Sequence, residues 1–387
     1  MLQFKTCLSE SNTPSKIYED MEGNYLTYLS LSVNDLIEQG IHKATLPSPY
    51  GQAYSPSQYK DMLVRIAGHN PSLALSMSMH LLTVWGLSRI QTDFDRGHYF
   101  QEVSSRNSLF ASPNDPVLYF RKLSDINPDK FPVKMTFVDG GVLVNGIRPY
   151  VSLEPFVQFL PIMSITRNPD TQENEIIFAM VHKSDPGVSV KKDWDTIAMS
   201  ETHSNTVELK QVFLPTERII SRNAEIPLDM DIFPYLFRIG ISSVYFAVAK
   251  TALEHVAQAI APSISEFASR AFGLRQKLAE MKILLDTSES QLNRYCQLVE
   301  SYLQGEPAPD ITSVSLITKE YVLTSAERIV ELAVDTMGVQ AMQPQSLLYK
   351  LYRDVKANTF HLPRSDVLKE IIAKQKLGVL TIRSRWC

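Results

Sequence analysis

Three successive regimes along the chain predict a mixed α+β protein: an N-terminal helical domain, a central antiparallel β-domain and a C-terminal four-helix bundle. Residues 16–104 read as mostly helical. Residues 105–220 alternate apolar and polar with period two between turn residues. From Pro234 onward, long helical stretches return. This order sets domains at 1–104, 105–228 and 229–387.

In the first region, Val33 to Gln39 forms a short amphipathic helix that stops at Gly40, a natural residue to follow a helix. Pro47, Pro49 and Gly51 mark a loop. Helices follow over Ser57 to Gly68 and Ser72 to Thr92. The second carries Leu73, Leu75, Met77, Met79, Leu81 and Leu82 on nearly every face, which predicts burial.

In the middle region, strands are expected at Lys134–Val138, Val142–Val144, Phe159–Thr166, Glu175–His182 and Thr206–Phe213. Asp139-Gly140 and Asn145-Gly146 are read as turns, since Asp, Asn and Gly tolerate positive φ. In the last region, one helix carries Ile239, Phe246, Leu253, Ala257 and Ile260. Others span Leu274–Leu303, a stretch from the N-cap Asp310 to Gly338, Ser346–Ala357 and Asp366–Leu377. Such long helices with short links read as a bundle.

Composition narrows the function. The 387 residues are 44% hydrophobic and 21% charged, with a net charge of -4. Without a basic block, nucleic-acid binding is not expected. Cys7, Cys296 and Cys387 are odd in number and far apart. They suit a reducing cytoplasm better than a disulfide framework. The eight histidines form no pair at helical metal-binding spacing, so no metal is expected. No apolar run reads as a bilayer span, and Met1 to Ser15 lacks the pattern of a secretory signal. There is no dinucleotide fingerprint, Walker loop or nucleophile elbow.

The C-terminal region holds the most specific signal. Leu351-Tyr352-Arg353-Asp354-Val355-Lys356 is followed by Phe360-His361-Leu362-Pro363. The Tyr-Arg-Asp-x-Lys run resembles the last active-site segment of the acyl-CoA dehydrogenase superfamily. Val144-Asn145-Gly146-Ile147-Arg148-Pro149-Tyr150-Val151-Ser152 resembles that family's Leu-Asn-Gly-x-Lys-x-Trp-Ile-Thr. Leu278-Ala279-Glu280-Met281 resembles its Leu-Ala-Asp-Met. Tyr50-Gly51-Gln52 resembles its Tyr-Gly-Gly, and Asn70 through His80 its helix beside the acyl pocket. The resemblance covers most of the chain and implies a flavoprotein oxidoreductase, with FAD or FMN as cofactor. It also implies a homodimer or homotetramer. It places Tyr150 and Ser152 against the flavin ring.

The departures from the family are specific. Its catalytic Glu falls on Leu362, and a second base position used by some relatives falls on Phe237. Its Gly-Gly-x-Gly has become Gly338-Val339-Gln340-Ala341. Its Arg-x-x-Phe-Gly falls on Pro262 to Glu266, and its Thr-Glu-Pro loop has become Ala111-Ser112-Pro113. Thr359-Phe360-His361-Leu362-Pro363 is also similar to a stretch in flavin-dependent monooxygenases of the same fold. So is Trp194 to Met199 with Thr202 and Ser204.

Three readings follow. In the first, the protein oxidises an acyl thioester, carried on CoA or on an acyl carrier protein, with His361 as the base; an unperturbed histidine titrates near neutrality. In the second, it is a monooxygenase that borrows reduced flavin and needs no α-proton base. In the third, the fold is kept without redox chemistry. Phe237 and Arg364 are candidate substrate contacts, and Gly338 is a candidate cofactor contact. Bland roles stand beside these: His361 as a packed residue at a helix start, Trp194 as a loop anchor, and Arg353 with Asp354 as a surface ion pair of little worth.

Overall fold

The computed structural model describes residues 31–113, 127–168, 171–224, 228–261 and 272–379. Cys7, Cys387, Met1 to Ser15 and Pro262 to Glu266 lie outside these residues.

Capping fixes the starts of the N-terminal helices. Ser32 and Asp35 form a reciprocal capping box at α1 (Val33–Glu38). Ser55 and Gln58 form another at α2 (Pro56–His69), which places Pro56 in the first turn. Asn70 accepts from the Leu73 amide and starts α3 (Pro71–Arg89). Every residue of α3 from Pro71 to Leu87 is buried, as its all-round apolar sequence requires. α4 (Arg96–Arg106) completes the layer.

The β-domain has two four-stranded sheets. One is ordered β1 (Leu109–Phe110), β4 (Val157–Arg167), β5 (Asn174–His182), β8 (Ile219–Asn223). The other is ordered β2 (Val133–Val138), β3 (Gly141–Val151), β7 (Asn205–Pro215), β6 (Val188–Lys191). The domain is antiparallel as expected, with one short parallel pair, β1 with β4. β1 and β4 are separated by the whole β2–β3 hairpin. A long connection of this kind permits a parallel pair where a tight hairpin would not.

Asp139-Gly140 makes the β2–β3 hairpin turn, with Gly140 at φ +76°. Asn145-Gly146 is not a turn but a bulge inside β3. The ladder register shifts there, and Gly146 sits at φ +141°. A Cβ on Gly146 would stand 2.2 Å from the Pro132 carbonyl oxygen, so the strand needs a glycine to pass.

The C-terminal bundle consists of α5 (Ile232–Ile260), α6 (Phe272–Leu303), α7 (Ile311–Met337), α8 (Leu347–Val355) and α9 (Ser365–Lys376). The Leu228–Ile260 segment is long and apolar enough to cross a membrane, contrary to the reading of the sequence. However, 89% of its apolar window is buried inside the protein, so it is the central core helix. α5 packs against α2, α3, α6 and α7 and thereby joins the outer helical layers.

Candidate active site

The site is built where three parts of the chain meet: the segment 194–205 of the β-domain, the end of β3, and the bundle segment from α8 to Pro363. Facing residues at the first two are strained. Tyr150, Leu153, Met199 and His203 all have left-handed φ, between +47° and +66°. Each such non-glycine residue costs about 1–3 kcal/mol, and this kind of strain concentrates at functional sites.

Met199 is the junction. Its amide donates to Asp354 Oδ1 at 2.8 Å. Its carbonyl accepts from Trp194 Nε1 at 3.3 Å and from Thr202 Oγ1 at 2.9 Å. Its sulfur accepts from the Ser72 hydroxyl of α3 at 3.7 Å. One residue therefore ties the helical layer, the β-domain and the bundle together.

A directed chain of hydroxyls starts at that carbonyl. Thr202 spends its proton on Met199, and Ser204 donates to Thr202 at 2.9 Å. Ser204 and Ser152 are 3.0 Å apart. A hydroxyl has one proton to donate, and Ser204 has used its own, so Ser152 donates to Ser204. The outer end of the chain is therefore the Ser152 oxygen, with lone pairs left to accept. Beside it, Tyr150 is 73% exposed and packs edge-to-face with Trp194 at 6.2 Å. Ile197 on the same segment is 76% exposed.

His361 lies on the bundle side. Its Nε2 is 2.8 Å from the Tyr245 hydroxyl, and its ring also meets Phe237 edge-on at 6.2 Å. Phe237 and Tyr245 are eight residues apart on α5, which puts both on one face of the helix. The residue is half-buried. Burial, reinforced by the Lys319 charge, pushes His361 down to about 3. Lys319 donates to the Pro363 carbonyl at 2.8 Å and is itself pushed down to about 8, chiefly by burial. His361 is therefore a neutral imidazole at pH 7, partnered by a phenol that burial keeps protonated.

Asp354 joins the two clusters. Burial lifts it to about 6, against the Met199 amide and the Arg353 charge, which favour its ionised form. Its charge in turn helps to raise Tyr245. The surface Arg353–Asp354 ion pair expected from sequence is not formed. Arg353 instead lies over the Tyr349 ring, and its buried Nε has no hydrogen-bond partner among the described residues.

The structure brings together Tyr150 with Trp194, Ser152 with Thr202 and Ser204, and Phe237 with His361. It leaves Gly338 and Arg364 at the surface. Gly338 is exposed after α7, at φ +69°, and Val339 beside it is 83% exposed. Arg364 Nε lies 3.8 Å from Asp366, both solvent-exposed. Sequence reasoning missed Tyr245, and it named Met199 and Asp354 within motif stretches without seeing that the two bond to each other. For Tyr245 the usable signal was its helical spacing from Phe237.

Comparison with known proteins agrees with this architecture. Residues 235–377 match the family described as acyl-CoA dehydrogenase, C-terminal domain. The acyl-CoA dehydrogenase-like protein YdbM of Bacillus subtilis (strain 168) is 24% identical over 366 residues, covering 89% of this chain and 88% of YdbM. Residues 235–377 are thus similar to an acyl-CoA dehydrogenase C-terminal domain, and the similarity to YdbM runs along most of the chain. It is also 23% identical over 257 residues to dibenzothiophene monooxygenase of Mycolicibacterium goodii, covering 60% of this chain and 61% of that one. Among solved structures, KijD3 in complex with FMN and a dTDP-amino sugar superposes with a TM-score of 0.76. The two are 17% identical, over 90% of this chain and 86% of that one. The chain is thus similar both to a relative named for dehydrogenation and to one named for oxygenation.

The residues present suit a flavin. The Tyr150–Trp194 pair and Ile197 offer apolar surface for a planar ring. Ser152 offers an open acceptor, and Arg353 Nε an unspent buried donor.

Proposed function

We propose that the protein is a flavin-dependent monooxygenase that takes up reduced flavin and inserts one oxygen atom of O2 into a small, largely apolar substrate. The observation that supports this most is the state of His361. Removal of an α-proton from a thioester needs a base whose strength matches the task. Here Leu362 occupies the catalytic Glu position, and His361 is pushed down to about 3. Among the described residues, no carboxylate bonds to it. A monooxygenase needs no such base.

In this reading the flavin supplies the two electrons that reduce the second oxygen atom of O2 to water. Tyr150, Trp194 and Ile197 would bear its ring, and Ser152 would accept a hydrogen bond from it. The Tyr245–His361 pair would orient a polar group of the substrate, and Phe237 would form its apolar wall. The thinly built region around Gly338 favours FMN over FAD. We place the protein in the cytoplasm as a homo-oligomer.

The overall similarity to YdbM favours a second reading, oxidation of an acyl thioester, free on CoA or held by a carrier protein. Asp354, lifted to about 6, is the buried carboxylate such a reaction would have to recruit.

The deciding measurement is oxygen uptake with enzymatically reduced FMN or FAD, across sulfur heterocycles, primary amines and acyl thioesters. Uptake matched by a product 16 mass units heavier supports oxygenation. Anaerobic bleaching of bound flavin by a thioester, with no oxygenated product, would replace the first reading by the second.

A further inference from the structure

We propose that Asp354 is a positioning residue: through the Met199 amide it clamps segment 194–205 to the bundle and so sets the aim of the Ser152–Ser204–Thr202 hydroxyl chain. The inference rests on the flavin reading only for what the chain is aimed at; the clamp itself is geometric.

The connection is continuous. The Asp354 carboxylate takes the Met199 N–H, the Met199 carbonyl takes the Thr202 proton, and the chain runs on through Ser204 to Ser152. The carboxylate and the hydroxyl chain are thus bound to adjacent peptide groups, those on either side of residue 199. Met199 is 2% exposed and left-handed, at φ +50°. That conformation is unfavourable for a side-chain-bearing residue and persists only where its surroundings impose it.

The other ties on the segment come from elsewhere. Asn70 at the start of α3 donates to Glu201 at 2.7 Å, and Ser76 donates to the Thr202 carbonyl at 3.2 Å. Among the described residues, Asp354 supplies the bundle's hydrogen bond to this segment. It is placed at the end of α8, two residues before the 356–363 stretch that delivers His361. The same helix end therefore governs both halves of the site.

Charged and titratable groups face Asp354 from each side: Lys350 and Arg353 on its own helix, Glu201 on the clamped segment, and Tyr245 on α5. Ionised at neutral pH, the carboxylate makes the Met199 bond a charge-assisted one, which is stronger than its neutral counterpart.

Trp194 reports the clamp without any flavin, since its indole N–H bonds the Met199 carbonyl. The experiment compares the wild-type protein with Asp354→Asn and Asp354→Ala. It reads acrylamide quenching of Trp194, taken as the difference from Trp194→Phe in each background, and deuterium uptake across 194–205. Asp354→Ala should at least double the quenching constant, speed exchange tenfold or more across the segment, and weaken FMN binding at least tenfold. Asp354→Asn keeps an acceptor oxygen in place and should restore most of each. If Asp354→Ala leaves quenching and exchange as in wild type, the clamp does not exist. If Asp354→Ala does not fold, the Asn variant decides: trading a charge-assisted bond for a neutral one should raise exchange across 194–205 several-fold, and exchange identical to wild type overturns the clamp. If Trp194 responds as expected while the wild-type protein binds neither FMN nor FAD, the clamp stands and the flavin reading falls.

Discussion

Replacing His361 by Phe isolates the energetic consequence of keeping a neutral imidazole beside Tyr245. In the folded protein His361 is pushed from 6.5 to about 3. The sign follows from linkage: a base with a depressed folded pKa contributes stability in full above the unfolded value, near 6.5, and loses it as pH falls toward 3. At pH 5 the unfolded histidine is protonated and the folded one is not. The gap from 6.5 to 5 is about 1.5 pH units, or roughly 2 kcal/mol. His80 and His42, pushed down to about 3 and about 4, shift stability the same way, and Asp354, raised to about 6, shifts it the opposite way. All three remain in both proteins, so the difference between wild type and His361→Phe cancels them. At pH 7.5 the variant should be the less stable by about 1–3 kcal/mol, because the buried Tyr245 hydroxyl loses its partner. Tyr245→Phe in the same chain should recover part of that loss. Urea unfolding at pH 7.5 and pH 5.0 measures all of this. Wild type should lose about 2 kcal/mol more than His361→Phe on acidification. Equal losses would show that His361 titrates normally, and the case against it as a base for thioester oxidation would fail.

Other substitutions test other parts of the structure. Ser204→Ala cuts the hydroxyl chain and leaves Ser152 without its acceptor; FMN affinity should weaken about 3- to 10-fold, the worth of one ordinary hydrogen bond, in a fluorescence titration. Lys319→Met removes the charge that disfavours imidazolium at His361 and the bond to the Pro363 carbonyl. The His361 pKa, followed by the ring proton resonance, should rise; no change would remove Lys319 as a cause. Gly86→Ala puts a Cβ 2.1 Å from the Phe233 ring and should cost about 1–3 kcal/mol in thermal unfolding. Gly68→Ala, on α2 with nothing near its Cβ, should instead stabilise by about 0.5–1 kcal/mol.

The sequence carried those features that local rules encode. The helices expected from Val33, Ser57 and Ser72 begin within two residues of those points, at caps Ser32, Ser55 and Asn70, and burial of α3 follows from its unbroken apolar surface. Asn145-Gly146 shows where local rules stop. The dipeptide permits a turn or a bulge equally well, and the choice falls to long-range partners: Gln211 donates its amide to Asn145 Oδ1, and Pro132 leaves no room for a Cβ at position 146. α5 shows the same limit in another form. Its composition fits a membrane span, and only the helices packed around it settle that it is a core.

The site was legible to a similar depth. Residues tied to a motif, such as Tyr150, Ser152 and His361, stand where contacts among them can be examined. The partners through which the groups that set their chemistry act are not given by a motif, even where the residue itself, as Asp354 does, stands in one. Lys319 acts on His361 across 42 positions of sequence, and Asp354 on Met199 across 155. Both are charged residues on helices, for which a solvated face is the ordinary expectation. Tertiary packing takes them out of water, and desolvation then makes each charge count: it drives His361 neutral and holds Asp354 near the point of protonation. A histidine at that position in water would be a plausible base. With Lys319 and the bundle around it, it is a hydrogen-bonding group, and that physical difference is what favours the proposed oxygenation over thioester oxidation.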